Sequence, residues 1–359
     1  CLLKLHFIKL GCFSYIFSLC KNILCLKITG IFFGPRWQAY FLSHNLRRLR
    51  VRDYGMAGFQ QVWAMAIPGT FVLLWSTGFV GARMGTPYAD PFIFLLYRFV
   101  ILAFLLAAAG FIWRAPWPKS WRQVGHLAVV GLLIHASYLG GVFWAISNGV
   151  SAAIVALIVS IQPLFTAIVA RPYVGEPVSS REWTGLIFGF VGVALVVGDD
   201  VNFVSSSGGG VFVCLIALLG ITLGTLYQKR HCGDMDLRTG SAVQFTAAAI
   251  VAGGATFYLG EQPIQWTGEF IFALLWLVFV LSIGAISMLY LLIRQGAASK
   301  VTSLFYLVPP VVAIEAYFMF GETLDFSDIV GMAVAVSGVA LVHHTRNAEI
   351  KGKIEKNLN

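Results

Sequence analysis

Three ionisable side chains in this sequence sit inside long apolar runs: Arg98, His135 and Glu315. A charge at such a position costs about 3 kcal/mol on insertion scales, so it has to face protein or a wet cavity. Arg98 could hold an anionic group such as a carboxylate. Its structural alternative is a packing residue that snorkels or bonds to backbone carbonyls. Glu315 is the one acidic residue well inside a run, and a carboxyl there is suited to taking up and releasing a proton. The alternative is a permanent ion pair with Arg98, which lies at comparable depth in a different run. His135 could also exchange a proton, or serve as a hydrogen-bonded filler. These groups are too scattered to form a catalytic cluster, so no catalytic residue is assigned. No metal site is indicated either, because His135 lacks ligating neighbours and Cys214 and Cys232 lack ligand spacing.

Other residues could wall a pathway between such groups. Gln244 lies 146 positions after Arg98, and each precedes a phenylalanine, Phe99 and Phe245. The two could line opposite halves of one route, or Gln244 could contribute only an interhelical hydrogen bond, worth about 0.6 kcal/mol. Pro163, Pro309 and Pro310 fall in mid-run, where each removes a backbone donor and frees a carbonyl, those of Val159, Phe305 and Tyr306. Broken backbone in the middle of a bilayer is tolerated where it lines a cavity; an inert kink is the alternative. Trp75, Tyr138, Tyr227, Tyr290 and Tyr306 could wall an apolar cavity, or sit near run ends as interface anchors.

The elements that carry these residues follow from composition. Of 359 residues, 58% are apolar and only 11% charged, with a mean hydropathy of +0.81. A soluble domain needs roughly a quarter of its residues charged, so lipid is the solvent that fits. A helix crossing the hydrocarbon core needs about 20 apolar residues. Ten segments qualify: 62–82, 91–112, 125–147, 151–171, 182–198, 210–229, 239–260, 270–293, 297–319 and 327–343. The net charge of +9 is topological rather than a sign of nucleic-acid binding, since the basic residues lie between the runs. Alternate connections are basic, with Arg114 and Lys119, then Arg171 and Arg181, then Lys229 to Arg238, then Arg294 and Lys300. The others are acidic, with Asp199, Asp200, Glu261, Glu269, Glu322 and Asp325, and only Arg83 breaks the pattern.

The two halves align at one constant shift of 146 residues. Pro163 falls on Pro309, Gly175-Glu176 on Gly321-Glu322, and the run Gly192 to Val196 on Gly338 to Val342. Five spans per half is an odd number, so the second copy must enter from the opposite side, as inverted repeats do. The expected fold is an all-α integral membrane protein of about ten transmembrane helices, built as two inverted five-helix repeats. Its expected parts are a first repeat over 56–200, a second over 201–343 and a basic cytoplasmic tail over 344–359. Residues 1–55 differ in composition, holding Cys1, Cys12, Cys20 and Cys25, and begin without methionine. They read as a targeting or extra membrane segment, or as sequence lying ahead of a start at Met56.

The stretch Leu74 to Phe79, Arg98-Phe99, and each mid-run proline followed by Gly-Glu resemble the EamA-type family of the drug/metabolite transporter superfamily. The resemblance covers roughly residues 60–343. It implies ten helices, both termini cytoplasmic in a bacterial inner membrane, and export of amino acids or related small metabolites. The function expected is therefore secondary active transport by alternating access, against the alternative of a membrane-embedded enzyme or a receptor. The partners expected are the lipid bilayer, a small-molecule substrate, protons as coupling ion and a second copy of the chain as a homodimer. No nucleic acid and no cofactor are expected.

Overall fold

The computed structural model describes residues 56–150, 152–197, 208–259, 263–296, 298–321 and 325–358; the extension ahead of Met56 lies outside them. Every element among the described residues is helical. In chain order the helices are α1 (Met56–Gly85), α2 (Pro91–Ile112), α3 (Trp121–Ser147), α4 (Ile154–Val174) and α5 (Ser180–Val197). They continue as α6 (Gly208–His231), α7 (Leu237–Leu259), α8 (Gly268–Arg294), α9 (Val301–Phe320) and α10 (Phe326–Leu358). Eight of these, all but α1 and α5, are long and apolar enough to cross a membrane over their described residues. Helix is the only single-segment structure that satisfies its own backbone in hydrocarbon, which is why the described residues of so apolar a chain form nothing else.

Local chemistry sets where the helices begin and end. Asp90 accepts a hydrogen bond from Phe92 N at 2.8 Å and Pro91 opens α2, where its missing N–H costs nothing. Ser120 caps α3 through Gln123 N, and Thr267 caps α8 through Phe270 N. α4 and α9 both stop at a glycine with positive φ, Gly175 at 76° and Gly321 at 74°, the left-handed cap that glycine adopts without strain.

Four helices depart from regular α geometry in mid-course. α4 is interrupted by a turn at Ser160 and Ile161 and restarts at Gln162, so Pro163 occupies the first turn of a new helix. α9 passes through a 3-10 stretch at Leu304–Leu307 and restarts at Val308, with Pro309 and Pro310 in its first turn. α3 widens to π geometry over Gly131–Leu139, and α8 does so over Leu277–Ala285. Both π stretches and both glycine caps recur at the same spacing, 146 positions (277 less 131, 321 less 175).

Packing follows the same correspondence. Two of the most extensive contacts join α5 to α10 and α2 to α7, each pairing a helix with its counterpart 146 residues on. α1 packs on α8 and α9, while α6 packs on α3 and α4. The α5–α10 contact is closed by backbone: a Cβ on Gly338 would run into the main chain of Gly189, and one on Gly192 into that of Ala335. Small residues allow this approach between membrane helices, where dispersion rather than water exclusion holds them together. The connections sort to two ends. At one end Thr239 Oγ1 donates to Pro116 O, Arg294 to Met235 O, and Ala298 N to Glu176 Oε2. At the other, Gln265 N donates to Tyr88 O at 2.9 Å and the Tyr88 hydroxyl donates to Glu269. Among the described residues, the first end holds Lys229 and Arg294 and the second Glu269.

Candidate functional site

Arg98 on α2 is fully buried, at 0% exposure, so its surroundings decide what it is for. Its Nε and Nη2 both donate to the hydroxyl of Ser282, at 3.1 and 2.8 Å, while Nη1 has no hydrogen-bond partner. Ser282 lies inside the π stretch of α8. The ion pair with Glu315 considered from the sequence is absent: the guanidinium bonds to a neutral hydroxyl, and Glu315 Oε2 on α9 has no hydrogen bond. A buried guanidinium without a carboxylate keeps its desolvation cost largely uncompensated, and that imbalance marks it as unfinished chemistry.

Around Arg98 stand residues from three further helices. Tyr138 on α3 is within electrostatic reach of the guanidinium and its ring lies 6.3 Å from Trp75 on α1, nearly parallel at 11°. Phe305, in the 3-10 stretch of α9, meets the edge of Trp75 at 5.1 Å. Between Trp75, Gly78, Tyr138 and Leu281 a cavity of only about 20 Å³ remains. His135, one turn from Tyr138 in the π stretch of α3, stacks on Phe245 at 4.2 Å and also feels the Arg98 charge.

A chain of polar contacts leads from His135 towards the basic end. His135 Nε2 lies 3.5 Å from the Tyr290 hydroxyl, which donates to Gln244 Oε1 at 2.7 Å. Gln244 Nε2 in turn donates to Gln228 Oε1 at 3.0 Å and to the sulfur of Met235 at 3.5 Å. Gln228 and Tyr290 line a cleft of about 450 Å³ together with Lys229, Gly233, Asp234 and Arg294. The buried column therefore opens towards the basic connections. Lys229 is fixed there by an ion pair with Glu176. Asp236, in the same connection, loses from burial, but the hydrogen bonds from Arg238 outweigh this and hold its carboxyl below the usual carboxylate range.

The acidic end is closed by rings. Phe94 contacts Phe143 and Phe270 with centroids 5.5 and 5.0 Å apart, all three fully buried, and Tyr97 meets Trp266 edge-on at 5.5 Å. Above them lies the bond from Tyr88 to Glu269, which raises the Tyr88 phenol pKa.

Of the residues singled out from sequence, Arg98, Trp75, Tyr138, His135, Gln244 and Tyr290 come together in this column. Tyr227 does not: its hydroxyl meets His126 Nδ1 at 2.7 Å at the basic end of α6, beside the ring of His231. Tyr306 packs where α9 touches Gly189 of α5, and its buried hydroxyl has no partner. Pro163, Pro309 and Pro310 stand at the restarts of α4 and α9. Ser282, Gln228 and Met235 belong to the column and were not anticipated. A serine and a glutamine in apolar helices are ordinary residues, and only their proximity to Arg98 and Gln244 sets them apart. The one available hint was Gln228, a polar side chain just before the basic run that ends α6.

The family model described as the EamA-like transporter family matches this chain twice, over residues 64–198 and 208–343. The "Uncharacterized transporter YvbV" of Bacillus subtilis (strain 168) is 26% identical over 286 residues, covering 77% of this chain and 90% of that one. The "Uncharacterized inner membrane transporter YedA" of Escherichia coli (strain K12) is 27% identical over 272 residues, covering 75% and 87%. The "Probable amino-acid metabolite efflux pump" of the same strain is 25% identical over 279 residues, covering 75% and 90%. A solved crystal structure at 19% identity shares the fold, with a TM-score of 0.63 over 77% of this chain and 96% of its own. With a family match across both halves and a helical architecture built for lipid, this chain is a multi-pass membrane protein that belongs to the EamA-like transporter family.

Proposed function

We propose that the protein is a secondary active transporter that exports small metabolites, amino acids or related compounds, by alternating access between two inverted five-helix repeats. The observation that carries this reading is the buried column from Arg98 to Gln228, open towards the basic end and sealed by aromatic rings at the acidic end. A sealed polar route ending at an unsatisfied cation suits a solute that is held in mid-passage. The recurrence of π stretches, helix breaks and glycine caps at one spacing supports two equivalent halves. If each half can adopt the conformation of the other, the open end changes sides. Because basic connections remain in the cytoplasm, the state described here faces inward, with both termini of the repeat pair cytoplasmic in a plasma membrane. One relative is named as an amino-acid metabolite efflux pump, which supports export and that substrate class.

Two measurements test the reading. Reconstituted into liposomes, the protein should give saturable, counter-transported flux of at least one labelled amino acid or amino-acid metabolite. Flux that stays linear with concentration and shows no counter-transport would sink the proposal. Cysteines placed at Asp325 and Lys119 should label from outside and inside respectively in intact cells. Labelling of the Lys119 position from outside would overturn the orientation.

A further inference from the structure

The connection between α6 and α7 leaves Asp234 exposed but turns the side chain of Met235 towards α6 and α7. Met235 N donates to Cys232 O at 3.3 Å, and the side chain of Met235 enters the end of the buried column. Its sulfur lies 3.5 Å from Gln228 Nε2 and 3.5 Å from Gln244 Nε2. Arg294 grips the Met235 carbonyl from α8. Gly240 on α7 makes room: a Cβ there would stand 2.5 Å from the sulfur.

Gln244 Nε2 carries two hydrogens, one directed to Gln228 Oε1 at 3.0 Å and the other to the sulfur. Gln228 Nε2 sends one to Cys232 O at a long 3.4 Å and the other to the sulfur. Tyr290 donates to Gln244 Oε1 at 2.7 Å, which fixes the amide so that its nitrogen, not its oxygen, faces Met235. Two oriented donors from two helices, exposed by only 2% and 0%, thus converge on a thioether. Thioether sulfur is a weak acceptor, and buried amide donors gain far more from oxygen. A solute entering by the cleft meets Gln228 and Tyr290 first, past the basic side chains of Lys229 and Arg294.

We infer that the Gln228–Gln244 amide pair is a binding site for the carboxylate of a small solute, and that the Met235 thioether is its built-in competitor, filling the site until a carboxylate displaces it. The inference rests on the transport reading and names its substrate by the group recognised. A plug that occupies the site most of the time lowers apparent affinity by the fraction of time the site is free.

The test is binding, read on the purified full chain by calorimetry and thermal shift, so that it does not depend on flux. The probes are the twenty common L-amino acids and their α-amides. At least one acid should bind, its amide about tenfold or more weaker, since the amide lacks the charge. Met235→Ala should tighten that acid by about three- to tenfold. Gln228→Glu, which keeps the shape and sets a negative charge against the carboxylate, should weaken it tenfold or more. Should Gln228→Glu misfold, Gln228→Met, which offers the site no donor, serves the same purpose. The inference is overturned if no acid binds either wild type or Met235→Ala, if the amides bind as tightly as the acids, or if Met235→Ala binds no tighter than wild type. Saturable flux in liposomes alongside any of these results would leave the transport reading standing, whereas its loss alone would remove only that reading.

Discussion

Arg98→Leu should cut apparent affinity for the transported solute by about 10- to 100-fold while leaving thermal stability equal to or above that of the wild type. A hydrogen bond to a charged group is worth about 1.5–3 kcal/mol, and each 1.4 kcal/mol is tenfold. The stability half of the expectation comes from the site itself. Arg98 gives two of its donors to one neutral acceptor, Ser282, and its third nitrogen to nothing, so little is lost when it leaves. Replacing a buried charge that has no counter-charge by an apolar side chain of similar size is commonly neutral or stabilising. A guanidinium kept for packing alone would give the reverse pattern, a lower melting temperature with unchanged affinity. Arg98→Lys should recover only part of the loss, because an ammonium cannot brace on Ser282 through two nitrogens and so cannot aim a third. Melting temperature and half-saturation measured on the same preparations separate these outcomes.

Glu315→Gln carries the second large effect, on energy coupling. Glu315 is an acidic side chain within the apolar span of α9, in the half that ends at Phe320, and its Oε2 makes no hydrogen bond. A carboxyl in that position can bind and release a proton, whereas an amide of the same shape cannot. A pH difference of one unit is worth about 1.4 kcal/mol per proton, or tenfold accumulation at one proton per solute. Wild-type protein in liposomes should reach roughly that ratio, and Glu315→Gln should fall to about one while still exchanging solute between equal pools. Accumulation by Glu315→Gln under the same gradient would remove Glu315 from the coupling step.

Much of the architecture could be read from the chain because lipid makes few exceptions. A run of about 20 apolar residues has almost no alternative to helix, and the restarts of α4 and α9 follow directly from prolines that cannot donate. The π stretches of α3 and α8 were not legible, since Gly131–Leu139 and Leu277–Ala285 have the composition of any membrane helix. Widening there depends on what packs alongside. Site residues divided in the same way. Arg98 declared itself through the cost of burying a charge. Its partner Ser282 lies 184 positions away and is inexpensive to bury, so nothing in the sequence marked it. Tyr227 stands apart from the column, and an aromatic near a helix end gives no sign in the sequence of which neighbour it faces, here His126. Met235 sits in a connection, where apolar spacing carries no information about the path of the chain.

The irregular stretches of α3, α4, α8 and α9 have a consequence for how the molecule loosens. Helices ordinarily fray from their ends, and their central amides are the last to exchange hydrogen with solvent. Here the interrupted or poorly bonded turns lie inside their helices, at Gly131–Leu139 and Leu277–Ala285 in mid-course and, nearer the starts of α4 and α9, at Ser160 and Ile161 and at Leu304–Leu307. Turns of 3-10 and π geometry hold their hydrogen bonds less well than α turns. Isotope exchange would therefore enter this protein at its waist, leaving two more protected tiers on either side. The bilayer would surround a molecule that is softest where its solvent is driest.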